Sequence, residues 1–408
     1  MFNAFDPDRT EVTGPYNAIR MEGEIGGRKK VVYMFMDIHM PRNAQTECLN
    51  VYSKDINRYL AETFHELNGA DRTYDFFLEI YPTEYKVDSI LKTELISKQG
   101  RSRQHDMYIW QVVDLMKASV NYDAAGDKVG TSEVFKNVRL HYLDIRETLN
   151  QIMIGVYVNL NCDMLYGSDL PPTIFQMLER AKGRSQAFVD LYQKLKADPS
   201  TATDSTDSAD PADLAFAKSI RKLLYGYKHK SIQEAITKHL DRYFGELSEL
   251  IVMIEDSISV LQNYDAILND RTITFTRDNN AYPGIDLIGR LKIITNIQEH
   301  LFKLHDKATF AGVGITDCYL MRRILDKDYV TNAITYTGFS HTMNYVNILA
   351  GDFEFKVTNV SFTRAPSISE LNRTIAKRLA AGEYVIDLFT GSKQDQCTDL
   401  TDFPKRFM

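Results

Sequence analysis

The stretch "VVYMFMDIHMP" (31–41) ends an apolar run with a carboxylate and an imidazole, Asp37 and His39, two residues apart. In an extended chain such residues share a face, so the pair would be presented together where a strand gives way to a loop. An aspartate beside a histidine can orient a general base or contribute to a divalent-metal shell. The plainer alternative is structural: Asp37 caps the following turn and His39 is satisfied by a backbone carbonyl.

Three further strand-like runs finish in chemically useful residues. "YDFFLEIY" (74–81) carries Glu79. "KNVRLHYLDI" (136–145) supplies His141 and Asp144 and is followed by Arg146, while "NAITYTG" (332–338) leads into Ser340 and His341. Ligands of open α/β sheets bind beyond the carboxyl ends of the strands, so residues this scattered can converge. Two imidazoles with two or three carboxylates suit a divalent ion such as zinc or manganese that keeps positions open for water. A metal-free alternative has His39 or His341 as general base with a carboxylate orienting it. Glu79 follows several apolar neighbours, where an ionised carboxylate is costly unless paired; it would otherwise be the polar residue that returns a buried strand to solvent. His141, Asp144 and Arg146 are candidate substrate-binding residues, with an ion-pair cluster internal to the protein as the competing reading.

The elements that must position these groups read as an α/β fold: a central, mainly parallel sheet with flanking helices and a helical insertion. Over the first 170 residues β-rich runs alternate with helical patterns. In "SKDINRYLAETFHEL" (53–67) Ile56, Tyr59, Leu60 and Phe64 form a stripe at helical spacing, with Ser53 as the expected N-cap and His65 near the C-terminus favouring the dipole. The expected division is a first part of the core over 1–195, an acidic Ser/Thr/Asp linker over 196–213, a helical insertion over 214–285 and the rest of the core over 286–408. Within the insertion Leu250, Met253, Ile254 and Ile258 make a stripe that serves either the insertion's core or a protein partner.

Composition bounds the function. The chain has 408 residues, 44% of them hydrophobic and 25% charged, with a formal net charge of -7. That balance argues against nucleic acid as the partner and leaves a small-molecule or peptide substrate. No window approaches a membrane span, and "MFNAFDPDRTEVTG" (1–14) lacks the order of a secretion signal. Cys48, Cys162, Cys318 and Cys397 lie far apart with no C-x-x-C pair, so neither a disulfide framework nor a thiolate zinc site is expected, and a reducing, cytoplasmic setting follows. "AGVGITD" (311–317) is a lone G-x-G, "RSRQHD" (101–106) reads as a solvated loop, and no phosphate-binding G-x-x-x-x-G-K-[ST] loop occurs.

The pattern "MDIH" (36–39), "FFLE" (76–79) and "GFSH" (338–341) resembles the superfamily joining erythromycin esterases, ChaN-like haem-binding proteins and the TraB and TIKI proteins. Its signature is G-x-x-H after the first strand, a glutamate ending the next, and a second G-x-x-H near the C-terminus. Met36 stands where that superfamily has its first glycine. "RLHYLDIR" (139–146) and "DCYLMRRIL" (317–325) further resemble uncharacterised proteins of large DNA viruses. The resemblance implies that His39, Glu79 and His341 line one pocket, as metal ligands or as base and partners in hydrolysis, with Asp37 beside them. Its ChaN branch implies haem as a secondary cofactor, for which no tyrosine or histidine context singles out a site. Two functions follow as expectations: a metal-dependent or histidine-based hydrolase of ester or peptide bonds, and a non-enzymatic virion or host-interaction protein that keeps the fold.

Overall fold

The computed structural model describes residues 6–40, 42, 48–79, 107–121, 129–143, 172–198, 211–270, 272–277, 279–391 and 396–407. In chain order the first elements are strands β1 (Glu11–Thr13), β2 (Asn17–Ile25), β3 (Arg28–Asp37) and β4 (Lys54–Asp55), helix α1 (Ile56–Glu66), strand β5 (Tyr74–Leu78), helix α2 (Tyr108–Ser119) and strand β6 (Val138–Tyr142). Three long helices follow, α3 (Pro172–Ala197), α4 (Pro211–Tyr225) and α5 (Lys230–Asn269), then the hairpin β7 (Thr274–Arg277) and β8 (Asn280–Pro283). Helix α6 (Leu287–Asp326) leads to β9 (Asn332–Gly338), α7 (Phe339–Phe353), β10 (Lys356–Val360), α8 (Ile368–Ala380) and β11 (Cys397–Asp399).

The largest sheet has six strands in the order β10-β2-β3-β9-β5-β6. β3, β9, β5 and β6 pair in parallel, while β2 and β10 are antiparallel. The α/β class holds, with strand directions mixed. β2 was not expected from its sequence, although Gly26 and Gly27 sit between two β-rich runs and both take positive φ (57° and 77°), the geometry of a tight hairpin. β3 is buried from Lys30 to Asp37 because both of its faces are covered. One face packs Tyr33, Phe35, Phe76, Leu78, Ile334 and Tyr336 against α1 and α2. Helix α1 buries Ile56, Leu60 and Phe64 as the spacing requires, and its N-cap is Asp55 rather than Ser53, because residues 54–55 pair with β1 as a short strand.

Lys30 joins α6 to the sheet. Lys30 is 1% exposed, and its ammonium group donates to the carbonyls of Ile324, Lys327 and Val330 at 2.7–2.9 Å. It therefore satisfies orphan acceptors at the end of α6 just where the chain turns into β9 beside β3. Burial pulls its pKa down to about 8.

The chain divides into two units: Met1–Asp144 with Lys228–Ile232 and Tyr319–Met408, and Ile145–Tyr227 with Gln233–Cys318. The boundaries thus fall near 144 and 318 rather than 195 and 286. The reason is side-chain packing. Helix α3, expected in the core, lays Phe188 on Phe216 of α4 (ring centroids 4.4 Å apart) and stacks Tyr192 on Phe244 of α5 (4.0 Å). Leu250, Ile254 and Ile258 are buried, which makes their stripe core of this second unit. Most of the expected linker lies outside the described residues; its ends belong to α3 and α4.

Cys48 and Cys397 form a disulfide, correcting the expectation of unpaired cysteines. The two are 349 residues apart, a separation at which spacing carries no signal. β11 returns antiparallel to β1, and β1 pairs on its other side with β4, so the fold brings the two Cα atoms to 4.9 Å. Cys318 is buried and free, and burial pushes its thiol pKa up well above the ordinary value. Among the described residues no helix is long and apolar enough to cross a membrane.

Candidate functional site

Three strands end at one edge of the sheet. In register, Asp37 of β3 lies beside Gly338 of β9, and Leu78 of β5 lies beside Tyr336 of β9. β9 comes late in the chain yet sits between β3 and β5, so the residues that follow all three strands meet at that edge. The Glu79 N–H continues the ladder by donating to the Tyr336 carbonyl at 3.3 Å.

Glu79 is the centre of the group. One carboxylate oxygen, Oε1, lies 3.0 Å from His341 Nε2; the other, Oε2, lies 3.5 Å from His39 Nε2 and accepts the Gly338 N–H at 2.6 Å. Its side chain is 10% exposed and that of His341 4%, whereas the His39 side chain is 39% exposed and opens the group to solvent. Asp37 stands behind His39: its Oδ1 accepts the His39 backbone N–H and lies 3.3 Å from Nδ1, while its Oδ2 accepts the Tyr336 hydroxyl at 2.6 Å. With Nδ1 facing Asp37, the His39 ring turns Nε2 toward Glu79. His39 also takes a left-handed backbone (φ 52°), a conformation that costs a non-glycine residue on the order of 1–2 kcal/mol and that Asp37 holds by accepting its N–H.

The electrostatics follow from this arrangement. Burial opposes a charge on His39, but hydrogen bonds and attraction from Asp37 and Glu79 outweigh it and raise the pKa to about 10. Burial by itself would push the Glu79 carboxyl up, and His341 and His39 instead hold it well below the usual range. Near neutrality the group is therefore a carboxylate with a protonated His39 beside it. His341 is the third residue of α7.

Gly338 matters through its missing side chain. Its φ of -60° and ψ of 157° are open to any residue, so the expected sharp turn needs no special backbone there. A Cβ at this position would instead lie 2.8 Å from His39 Nε2 and 3.3 Å from Glu79 Oε2. Gly338→Ala is accordingly expected to leave the fold intact and to separate His39 from Glu79. The His39 pKa should then fall from about 10 by at least about 1, measured by NMR titration; an unchanged value would contradict the steric role.

The structure thus brings Asp37, His39, Glu79 and His341 together. It does not bring His141 to them. His141 is level with Phe77, two residues short of Glu79 along the strand, or roughly 7 Å. Both of its ring nitrogens are engaged inside the protein: Nδ1 accepts from Arg323 at 3.0 Å and Nε2 donates to Asp75 at 2.6 Å, with the ring stacked on Phe77. Burial first and Arg323 second lower its pKa against the pull of Asp75. His141 is therefore part of a buried network with Asp75, Arg139 and Arg323, apart from the Glu79 group. Asp144 and Arg146 lie outside the described residues, as does the loop at 101–106. Ser340 is exposed. Tyr336 and the spatial role of Gly338 escaped the sequence reading, because an alternating β-strand gives no sign that one of its inward tyrosines meets a carboxylate from a neighbouring strand.

In residue type alone, two imidazoles and a carboxylate are what zinc or manganese takes, and a carboxylate on the far nitrogen of a histidine is a common outer partner of such a ligand. Among the described residues the group whose ligand atoms all lie within 4.8 Å of one another is Glu11 with Cys48 and Cys397, whose sulfurs are joined in the disulfide; His39, Glu79 and His341 do not form such a group.

Residues 10–408 match the model of a family of unknown function, DUF5847. The chain belongs to this family. Relatives include Uncharacterized protein R706 of Acanthamoeba polyphaga mimivirus, 30% identical over 98% of this chain and 98% of the relative. Uncharacterized protein R161 of the same virus is 31% identical over 98% of this chain and 99% of the relative. No solved structure matches the chain. These relatives agree with the resemblance to proteins of large DNA viruses; the family match and the relatives do not support the erythromycin esterase and TraB resemblance, which rests on its three sequence islands.

Proposed function

We propose that this chain is a hydrolase of ester or peptide bonds, with its pocket beyond the carboxyl ends of β3, β9 and β5. One observation carries the reading: two imidazole Nε2 atoms address the two oxygens of one buried carboxylate, and the more exposed imidazole is backed by a second carboxylate. The order of these residues along the chain is that of the erythromycin esterase, ChaN and TraB/TIKI superfamily, which supports hydrolysis as the chemistry.

His39, Glu79 and His341 would hold a zinc or manganese ion. When bound, such an ion supplies Lewis acidity and lowers the pKa of a water toward neutrality. The chain's own residues do the rest. Asp37 fixes the His39 ring so that Nε2 points at Glu79, and the Gly338 N–H holds Glu79 Oε2 in place. In the metal-free alternative His39, at the solvent-facing side of the group, would instead hold a proton on Nε2 beside a leaving group. Protons and an ion compete for the same nitrogens, so loading should release protons from the histidines and strengthen as pH rises.

The Cys48–Cys397 bond favours a virion or other oxidising setting over a reducing cytoplasm. The test is elemental analysis of the purified native protein beside the His39→Ala, His341→Ala double variant, followed by a screen of esters and peptides. The expected result is about one equivalent of zinc or manganese in the native protein and none in the variant. No ion and no hydrolysis by the native protein would overturn the reading and leave the non-enzymatic role, a virion or host-interaction protein.

A further inference from the structure

Tyr336 touches both halves of the site. Its main-chain carbonyl accepts the Glu79 N–H at 3.3 Å, which continues the β5–β9 ladder to the residue bearing the central carboxylate. Its side chain crosses to the other neighbouring strand, where the hydroxyl donates to Asp37 Oδ2 at 2.6 Å. Tyr336 is fully buried, and Asp37 is 1% exposed. The ring belongs to the core cluster packed beneath α1 and α2, so the hydroxyl is carried on a support that has little room to turn. Burial and the nearby Asp37 charge push the Tyr336 pKa well above its ordinary value, so the group stays a donor at any pH the folded protein meets.

Asp37 in turn governs His39. Its other oxygen, Oδ1, takes the His39 backbone N–H and faces Nδ1 at 3.3 Å. A carboxylate on a buried side chain can rotate about its last bond, exchanging one oxygen for the other and losing its direction toward Nδ1. A second donor fixed on the opposite oxygen removes that freedom.

We propose that Tyr336 is a positioning residue of the pocket, holding Asp37 through its hydroxyl so that His39 presents Nε2 toward Glu79. The inference rests on the metal-hydrolase reading only in assigning a use to that orientation; the orientation itself can be measured without an ion. Tyr336→Phe keeps the ring in the core and keeps the main-chain bond to Glu79, and removes one hydrogen bond.

The experiment compares full-length wild type and Tyr336→Phe by two readouts, with thermal unfolding of the metal-free proteins as the control for folding. The first is NMR of ¹⁵N-histidine-labelled, metal-free protein, following the proton on His39 Nδ1. Wild type should show a solvent-protected Nδ1–H, and the variant should lose that protection. The second is zinc affinity by competition with a chromophoric chelator, expected to fall ten- to a hundredfold in the variant, as it does when outer partners of ligating histidines are removed. An unaltered Nδ1–H signal in a folded variant would overturn the proposal, whatever the zinc result. Wild type that takes up no zinc, with the Nδ1–H change still seen, would overturn the metal reading and uphold the positioning role. If Tyr336→Phe does not fold, Asp37→Asn breaks the same link from its other end and should give the same loss of Nδ1–H protection; its absence in that variant would count against the proposal.

Discussion

Replacing Glu79 by glutamine is expected to remove metal affinity by more than about a hundredfold and to destabilise the metal-free protein by about 2–4 kcal/mol near pH 7. The substitution keeps the shape and leaves an oxygen that can accept the Gly338 N–H, so what changes is the charge between two imidazoles. The pH dependence separates this from a general loss of packing. His39 has its folded pKa raised to about 10 from 6.5, so its contribution is fully present below pH 6.5 and is lost as pH rises toward 10. Glu79 has its folded pKa depressed below 4.5, so its contribution is present above that value and is lost as pH falls through the folded pKa. Metal-free wild type should therefore be most stable between about pH 4.5 and 6.5 and decline on both sides. Because the His39 side chain is 39% exposed, solvent screening limits its alkaline limb to on the order of 1 kcal/mol. In Glu79→Gln the acid limb due to Glu79 disappears and the alkaline limb shrinks to the share of Asp37. Urea unfolding of both proteins from pH 4 to 10 measures this, and superimposable pH profiles would refute the assigned charges.

Breaking the Cys48–Cys397 bond is expected to cost about 2–5 kcal/mol. The effect should lie toward the top of that range, because the bond closes 349 residues and the unfolded chain gains the most freedom when so long a loop is opened. In the folded state β11 is three residues long, paired to β1 at Glu11–Asp399, Val12–Thr398 and Thr13–Cys397, with Arg9 bridging Glu11 and Asp399. Cys48→Ser and wild type treated with a phosphine reductant should show the same lowered urea midpoint, with the reductant having no effect on the variant. Free thiols at both positions in the untreated native protein, counted by mass spectrometry after alkylation, would remove the basis of the prediction.

The elements of the core were largely legible in the sequence. β9 spans Asn332–Gly338 as read, the runs read as β5 and β6 contain those strands, and the apolar run from Val31 overlaps β3, which begins earlier at Arg28. Their β-branched and aromatic content and their polar ends carry that signal, since a strand covered on both faces must be apolar along its length. The candidate residues were legible for the same reason: a carboxylate or imidazole at the end of such a strand stands out against it, which singled out Asp37, His39, Glu79 and His341. It singled out His141 as well, which the structure sets in a separate buried network, because its partners Asp75 and Arg323 come from a neighbouring strand and a distant helix.

What the tertiary structure decided is adjacency. Nothing local says that β9, written some 300 residues after β3, inserts between β3 and β5, yet that placement is what brings His341 to Glu79. The same long-range pairing set Cys397 beside Cys48 and drew α3 to the helical unit through Phe188 and Tyr192. It also gave Gly338 and Tyr336 roles that their own segment does not announce: one leaves room for His39 Nε2, the other holds Asp37. Propensity and periodicity act over a few residues and so determine which elements form and which side chains end them. Contacts between elements are won by packing and hydrogen bonding across hundreds of residues, and only the folded chain shows which strand ends meet.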